Sequence, residues 1–333
     1  MKIFNRPHTR RKLITGGLAA AAAAVVPSVV FAQADVWPAK PIRLIVNFPT
    51  GSSPDVLARA ISLPLQQALG QPVVVDNRSG ASGMIGADLV AKSTADGYTL
   101  LMTAGSVITT NPFIYPKIPY DTAKDLIPVA AAARILLFLE VRPNLPVKNV
   151  KEFLAYLKAN PGKLSYGSAG NATGLHLAGE MLKSQAGVFA VHVPYRGASP
   201  ALQDLLAGQI DFYFDPGIGL SQVRAGKLHM LAVASLRRST AFPDIPTLDE
   251  VGLKGLDAGT THGVYAPTGT APAIIDKLNR EINRALALPA VRAQIAAIGA
   301  EPTPLSPTQF ADVMNDDSRR YGAFIKKQRI QAD

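Results

Sequence analysis

The stretch IRLIVNFPTGSSPDVLARAISLPLQQAL, residues 42–69, decides the fold of the first part of this chain. Its apolar start, IRLIVN, is typical of a buried strand, and the turn FPTGSS leads into apolar residues that recur at helical spacing. Ser53 suits the N-cap of that helix, and Pro54 suits its first position because the N–H that proline lacks has no partner there. The stretch therefore predicts a strand, a tight turn and a helix over 54–69.

The turn itself has the features of an anion site. It places several backbone N–H groups and the hydroxyls of Thr50, Ser52 and Ser53 at the positive end of the helix dipole. Such an arrangement suits a carboxylate or a phosphate. An ordinary capped turn has the same pattern, so this stretch alone leaves both a binding site and a purely structural turn open.

The first residues have the composition of an export signal. The pattern TRRKLI at 9–14 is of the twin-arginine type and precedes an apolar, alanine-rich run over 18–30, with small-residue cleavage sites after Ala32 or Ala34. The run is too short for a comfortable membrane span. Residues 1–34 therefore predict an exported protein, and because arginine pairs also occur in ordinary export signals, the route stays open.

The charge balance argues against a nucleic-acid partner. The formal net charge is +10, and the predicted signal carries five basic and no acidic side chains, which leaves +5 for the rest. A surplus this small is weak support for an anionic ligand, and the sequence has no basic stripe interleaved with aromatic residues. The chain has no cysteine, which excludes a disulfide, a thiol nucleophile and a thiolate metal site.

Short apolar strands alternate with amphipathic helices along the whole chain after the signal, which predicts an α/β fold with parallel strands. Two extended segments, 130–142 and 260–267, bracket the middle of this series. We expect them to be hinge crossings between two lobes, 35–134 with 262–333 and 135–261. Strands are predicted at 42–47, 72–76, 98–102, 164–167, 189–193, 211–214 and 228–234, and helices at 54–69, 84–93, 150–159, 173–185, 199–206, 271–287, 289–297 and 307–328.

A second turn, SYGSAGNATGLH at 165–176, repeats the design of the first. A strand ends, small and hydroxyl-bearing residues form a tight loop, and a helix starts at Thr173. In open α/β sheets, ligands bind beyond the carboxyl ends of the strands, where such turns lie. Two turns that could each bind an anion, one on each predicted lobe, predict a ligand-binding cleft between the lobes.

Five motifs follow one another along the chain after the signal: FPTGSSPD at 48–55, PVVVDNR at 72–78, DGYTL at 96–100, YGSAGN at 166–171 and VPYRG at 193–197. In this order they resemble the Bug family, the periplasmic receptors of tripartite tricarboxylate transporters, and the resemblance covers essentially the whole chain after the signal. It implies a two-lobed periplasmic-binding-protein fold of the Venus-flytrap type, type II-like. It also implies that the protein captures a small carboxylate as a monomer, needs no cofactor and delivers the ligand to a membrane permease.

The resemblance also implies which residues bind the ligand carboxylate. The usual first loop resembles Pro-Gly-Gly-Ser-Thr-Asp, and here Ser52 replaces a glycine, so the ligand specificity of the common pattern is not carried over. Dicarboxylates, aromatic acids and acidic amino acids all remain open. The implied residues are Thr50, Gly51, Ser52 and Ser53 on the first loop and Ser168, Ala169, Gly170, Asn171 and Thr173 on the second.

Further polar residues have two interpretations each. Asp215 ends a predicted strand and either receives an amine or caps the following helix. His176 has Glu180 four residues later, which predicts either an exposed pair or a cleft residue. Asp55 and Arg59 share that spacing, and an intrahelical pair is expected there. Tyr195, Arg196 and His262 lie near strand ends or a crossing, and whether they contact the ligand stays open.

Two rival functions compete with that of a transport receptor. An exported serine hydrolase is disfavoured because the sequence lacks the nucleophile pattern G-x-S-x-G, the zinc motif H-E-x-x-H, a Walker phosphate loop and any histidine pair at metal spacing. We therefore expect no catalytic activity and no metal. A binding protein that signals to a sensor kinase is not separated from a transport receptor by the sequence.

Overall fold

The computed structural model describes residues 37–331; the predicted export signal, 1–34, lies outside them. The strands are β1 (Ile42–Val46), β2 (Val73–Asn77), β3 (Thr99–Thr103), β4 (Leu126–Ile135), β5 (Phe138–Val141), β6 (Ser165–Ser168), β7 (Val191–Pro194), β8 (Phe212–Asp215), β9 (His229–Val233), β10 (Thr260–Pro267) and β11 (Glu301–Pro302). The helices are α1 (Ser53–Leu69), α2 (Met84–Ala91), α3 (Ser106–Thr109), α4 (Asn111–Ile114), α5 (Val150–Ala159), α6 (Gly174–Ala186), α7 (Ala198–Leu206), α8 (Leu220–Arg224), α9 (Pro272–Ala287), α10 (Pro289–Ala297) and α11 (Pro307–Gln328).

The strands form two separate sheets. The first has six strands in the order β11-β4-β10-β3-β1-β2, and the second has five in the order β7-β6-β8-β5-β9. In the first sheet β1 lies parallel to both β2 and β3, as the βαβ pattern predicts. In the second sheet β6 lies parallel to β7 and β8, and β5 pairs antiparallel with β8 and β9.

Helix α1 is fixed to the first sheet by its apolar face. Ile42 and Leu44 of β1 are buried in one cluster with Leu57 and Ile61 of the helix. Each such buried side chain contributes roughly 1.5–3 kcal/mol relative to an exposed one. The helix ends at Gly70, whose left-handed conformation (φ 70°) stops further turns. Burial of this face therefore fixes the start of the helix, and with it the turn before Ser53.

Two chain segments join the sheets. Only Leu136 and Leu137 separate β4 of the first sheet from β5 of the second, and both are buried. The return runs over 234–259, between β9 and β10. The chain therefore passes between the two sheets twice, once within the extended segment 130–142 and once directly before the extended segment 260–267.

Several local details differ from the sequence prediction. Helix α1 begins at Ser53 and its N-cap is Ser52, so the prediction of Ser53 as the cap was wrong. The two adjacent serines have the same capping preference, and only the backbone conformation distinguishes them. The short helices α3, α4 and α8 were not predicted, because four or five residues are too few to show a period. None of the helices within 37–331 is long and apolar enough to span a membrane.

Candidate functional site

The first turn is built around Asp55. Its carboxylate accepts hydrogen bonds from the Gly51 N–H at 2.9 Å, from Arg59 Nε at 3.0 Å and from Asn77 Nδ2 at 2.9 Å. Although burial by itself raises the pKa of Asp55, these hydrogen bonds and the Arg59 charge hold it below its usual value. Asp55 therefore stays ionised and organises the turn. The intrahelical pair with Arg59 expected from the sequence is present.

The second turn, between β6 and α6, is held by its own side chains. Thr173 is the N-cap residue of α6, and its hydroxyl donates to the Gly170 carbonyl at 2.7 Å. Ser168 Oγ lies 3.1 Å from the Gly170 carbonyl and 2.7 Å from His192 Nε2. Gly170 has φ 122°, and a Cβ at this position would lie 2.9 Å from Ser82 Oγ. A Gly170→Val variant would therefore strain the backbone, which makes it a poor probe of ligand contact.

Residues near the first sheet also hold the second turn. The Thr110 hydroxyl donates to the Ala172 carbonyl, and the Tyr115 hydroxyl lies 3.2 Å from the Asn171 carbonyl. Ser82 Oγ is 2.8 Å from the same Tyr115 hydroxyl. These hydrogen bonds join the second turn to the segments that follow β2 and β3 of the first sheet.

A cavity lies between the two turns. Its volume is about 30 Å³, space for roughly two or three water molecules. Among the described residues that line it, none carries a charged side chain. Its lining combines hydroxyl groups and one imidazole with apolar side chains. The lining residues are Phe48, Ser52, Ser53, Pro54, Ala104, Ser106, Ile135, Leu137, Ala169, Thr173, Gly174, Leu175, Ala198, Pro216, Thr260 and His262.

Two hydroxyls that belong to this lining have no hydrogen-bond partner within the described chain. They are Ser52 Oγ and Thr260 Oγ1, and their residues are only 2% and 4% exposed. A buried hydroxyl without a partner costs roughly 1–3 kcal/mol of desolvation. An oxyanion in the cavity would accept hydrogen bonds from such groups. Thr260 begins β10, and no turn motif marks it in the sequence.

The sequence-predicted residues divide into three groups. Ser52, Ser53, Ala169 and Thr173 line the cavity. A larger neighbouring cavity of about 440 Å³, which shares Phe48 and Ala169 with the first, is lined by Gly170, Tyr195 and Arg196 among others. Neither cavity is lined by Thr50, Gly51, Ser168, Asn171 or Asp215.

Asp215 is fully buried beside a second buried carboxyl group, that of Glu140 on β5. Its Oδ2 accepts a hydrogen bond from the Gly219 N–H at 2.9 Å, as expected of a residue that caps the following turn. Desolvation raises the pKa of Glu140 well above its usual value, and the neighbouring Asp215 charge raises it further. Burial also raises the pKa of Asp215, to about 7, although hydrogen bonds from the backbone N–H groups of Gly219, Gly217 and Ile218 oppose this increase. Because these bonds favour the charged form of Asp215, the proton of the pair stays on Glu140.

The predicted pair of His176 and Glu180 is present, with Nε2 3.9 Å from Glu180 Oε1, but His176 is buried, so the expectation that the pair is exposed was wrong. Its ring stacks on that of His192, with centroids 4.1 Å apart, and its Nδ1 accepts the Ala172 N–H at 3.2 Å. Burial lowers the pKa of His192 to about 3, with His176 and Lys183 adding to the effect. The neutral His192 ring and the His176 ring stacked on it pack beside the second turn. Helical spacing shows the partner at i+4 but not the strand residue that covers the ring.

The comparisons with known proteins agree on one family. The protein-family model described as "Tripartite tricarboxylate transporter family receptor" matches residues 57–330 of this chain. The protein BugT of Bordetella pertussis is 40% identical over 298 residues, which are 89% of this chain and 91% of BugT.

Three solved structures are similar over nearly their whole length. The periplasmic binding protein BugD has a TM-score of 0.85 at 32% identity and covers 89% of this chain and 100% of its own. Rpa4515 of R. palustris, solved with adipate, has a TM-score of 0.86 at 34% identity, with the same coverage. MatC of Rhodopseudomonas palustris, solved with bound malate, has a TM-score of 0.82 at 30% identity and covers 86% of this chain and 99% of its own. The chain therefore has the two-lobed periplasmic-binding-protein fold and belongs to the tripartite tricarboxylate transporter receptor family, to which the Bug proteins also belong.

Proposed function

We propose that this protein is a periplasmic receptor that captures a small carboxylate between its two turns and delivers it to the permease subunits of a tripartite tricarboxylate transporter. The observation that carries the proposal is the pair of buried hydroxyls without partners, Ser52 Oγ and Thr260 Oγ1. Ser52 Oγ lies at the start of α1 beside the helix dipole, and Thr260 Oγ1 lies at the start of β10. Together these two donors match the two oxygens of a carboxylate. We place Ser53 and Thr173 in the same site.

The family and its structures support this proposal. The family is one of transporter receptors rather than enzymes, and two of its similar structures contain adipate and malate. The BugD structure is that of a periplasmic binding protein, which agrees with the predicted export signal on 1–34. We propose a monomer without catalytic activity, for which a screen of ester and amide hydrolysis is the direct check.

The proposed capture requires a hinge motion. A cavity of about 30 Å³ is too small for an organic acid, so the two turns must move apart before a ligand enters. We propose that 35–134 with 262–333 forms one lobe and 135–261 the other, and that the two crossings act as the hinge. Small-angle scattering with and without adipate measures this: compaction at saturation supports the hinge, and an unchanged radius of gyration contradicts it.

The charge pattern of the two cavities predicts selection by ligand charge. Among the described residues that line them, none has an acidic side chain, and the one cation is Arg196. An ammonium group would lose its hydration there without gaining a charged partner. We expect hexanoate and adipate to bind and 6-aminohexanoate, with the same chain length, to bind at least tenfold more weakly. Calorimetric titration of the three acids measures this, and equal affinity for the amino acid would overturn the charge argument.

Thr260→Val should act with opposite signs on stability and on binding. The valine removes a buried hydroxyl that has no partner, so the free energy of unfolding without ligand should stay equal or rise. Adipate affinity should fall roughly tenfold to 100-fold, because a charge-assisted hydrogen bond is worth about 1.5–3 kcal/mol. Thr270→Val is the matched control: its buried hydroxyl bonds the Pro267 carbonyl outside both cavities, so it should lose stability and keep affinity. Unchanged adipate affinity in a folded Thr260→Val variant would place the carboxylate elsewhere.

The same capture step would also serve a receptor that reports to a sensor kinase. The two roles differ in the step after binding. Deletion of the gene should abolish uptake of labelled ligand by cells if the protein feeds a transporter. Normal uptake with a lost transcriptional response would favour the signalling role.

A further inference from the structure

His262 lies on strand β10 and contacts the first turn through Ser53. The residue is 3% exposed and lines the cavity. The Gly105 N–H donates a hydrogen bond to its Nδ1 at 3.4 Å. On the opposite side of the ring, Nε2 lies 3.0 Å from Ser53 Oγ. The ring therefore stands between a backbone donor and a cavity hydroxyl.

These two contacts determine where the protons lie. An N–H group only donates, so Nδ1 must offer its lone pair to Gly105. Burial lowers the pKa of His262 to about 3, so the ring is neutral near pH 7. A neutral imidazole has one N–H, which must then be on Nε2. The Nε2–H group donates to Ser53 Oγ, and the Ser53 hydroxyl acts as the acceptor of this bond.

The hydrogen bond from His262 Nε2–H determines the direction of the Ser53 hydroxyl proton. A serine hydroxyl has one proton and two lone pairs, and here one lone pair is taken by the ring. The proton is left to point toward the cavity. If the ring had the other tautomer, Nε2 would accept the serine proton and the cavity would face only serine lone pairs, which repel a carboxylate.

We propose that His262 is a positioning residue that fixes the Ser53 hydroxyl as a hydrogen-bond donor to the carboxylate. The chain of donors runs from Gly105 N–H to His262 Nδ1, from His262 Nε2–H to Ser53 Oγ, and from Ser53 Oγ–H to the ligand. This inference rests on the proposed function, because it states which residue orients one hydrogen-bond donor of the proposed carboxylate site. It explains how a site without a charged side chain favours an anion.

The tautomer is measured directly by nitrogen-15 NMR of the histidine rings in the unliganded wild-type protein. We expect the Nε2–H form for His262, with its signals assigned as those missing from the spectrum of His262→Gln. A neutral Nδ1–H ring would overturn the proposal whatever the variants do. The measurement needs no ligand and does not depend on a variant that binds.

Binding of adipate provides the second test. His262→Leu and Ser53→Ala should each lower affinity about tenfold or more, and the double variant should lose little beyond either single one, because both remove the same donor. His262→Gln, whose side-chain amide can donate to Ser53, should recover most of the loss relative to His262→Leu. Additive losses, or equal losses in the Leu and Gln variants, would contradict the positioning role. Failure of the wild-type protein to bind any carboxylate would instead overturn the proposed function.

Discussion

Replacing Gly217 with alanine should lower the affinity for adipate roughly tenfold to 100-fold while leaving the protein folded. Gly217 follows β8 of the second sheet and has φ 94°, and a Cβ there would lie only 1.8 Å from the carbonyl oxygen of Ile298, which precedes β11 of the first sheet. No side chain fits at this distance, so the two segments must separate. If they belong to two lobes, separation costs the closed form about 1–3 kcal/mol and leaves the open form intact.

The control for this variant is Gly226→Ala. Gly226 has φ 70° and no atom within 4 Å of the added methyl, so it carries similar backbone strain without the contact. Both variants should lose about 1 kcal/mol of stability to strain. Only Gly217→Ala should lose affinity in calorimetric titration. A large drop in its melting temperature with unchanged affinity would show that Gly217 and Ile298 never separate, and would contradict the hinge.

The buried pair Glu140 and Asp215 should make stability depend on pH. In the unfolded chain Glu140 loses its proton near pH 4.5, whereas in the folded protein it keeps the proton to a higher pH. The unfolded state therefore binds fewer protons over this window, and the free energy of unfolding falls as pH rises, by at most about 1.4 kcal/mol per pH unit. The stabilisation from the raised pKa of Glu140 is fully present below pH 4.5 and is lost as the pH rises toward the pKa of Glu140 in the folded protein.

Glu140→Gln removes this titration and keeps a side chain of the same size with a donor for Asp215. Relative to the wild type, the variant should gain about 2 kcal/mol or more between pH 5 and pH 8, measured by urea denaturation at each pH. Asp312→Asn is the control, because Asp312 is exposed, and its pH profile should follow that of the wild type. Parallel profiles for Glu140→Gln and the wild type would show that Glu140 ionises normally.

Local sequence patterns predicted the elements of this fold well where their ends carry strong signals. Helix α5 begins after Asn149, which caps it, and ends before the breaker at 160–162, so its predicted and observed bounds agree. The extended segment predicted at 260–267 has the same bounds as strand β10, in which Thr260, Thr261 and Val264 are β-branched. The first turn was placed correctly, but its cap was shifted by one serine, since both serines satisfy the same preference.

Contacts between distant residues could not be predicted in this way. Ser53 and His262 are 209 positions apart, and nothing local to either one indicates the other. Thr260 begins a fully buried strand, and the sequence of that strand does not show which side chain faces a cavity. The burial of His176 depends on His192 of a different element. Sequence patterns therefore located the two turns and singled out His262, while Thr260 and the contact between His262 and Ser53 required the fold.

The uncharged lining of the cavity bears on how the protein would respond to its medium. Attraction between exposed charges is screened within about 8 Å at an ionic strength of 0.15 M, whereas hydrogen bonds from buried hydroxyls and backbone N–H groups are screened much less. Among the described residues that line the cavity, the donors are all of this buried, neutral kind. Affinity for the acid should therefore stay nearly constant from dilute to concentrated salt, so the receptor would report ligand concentration rather than salinity.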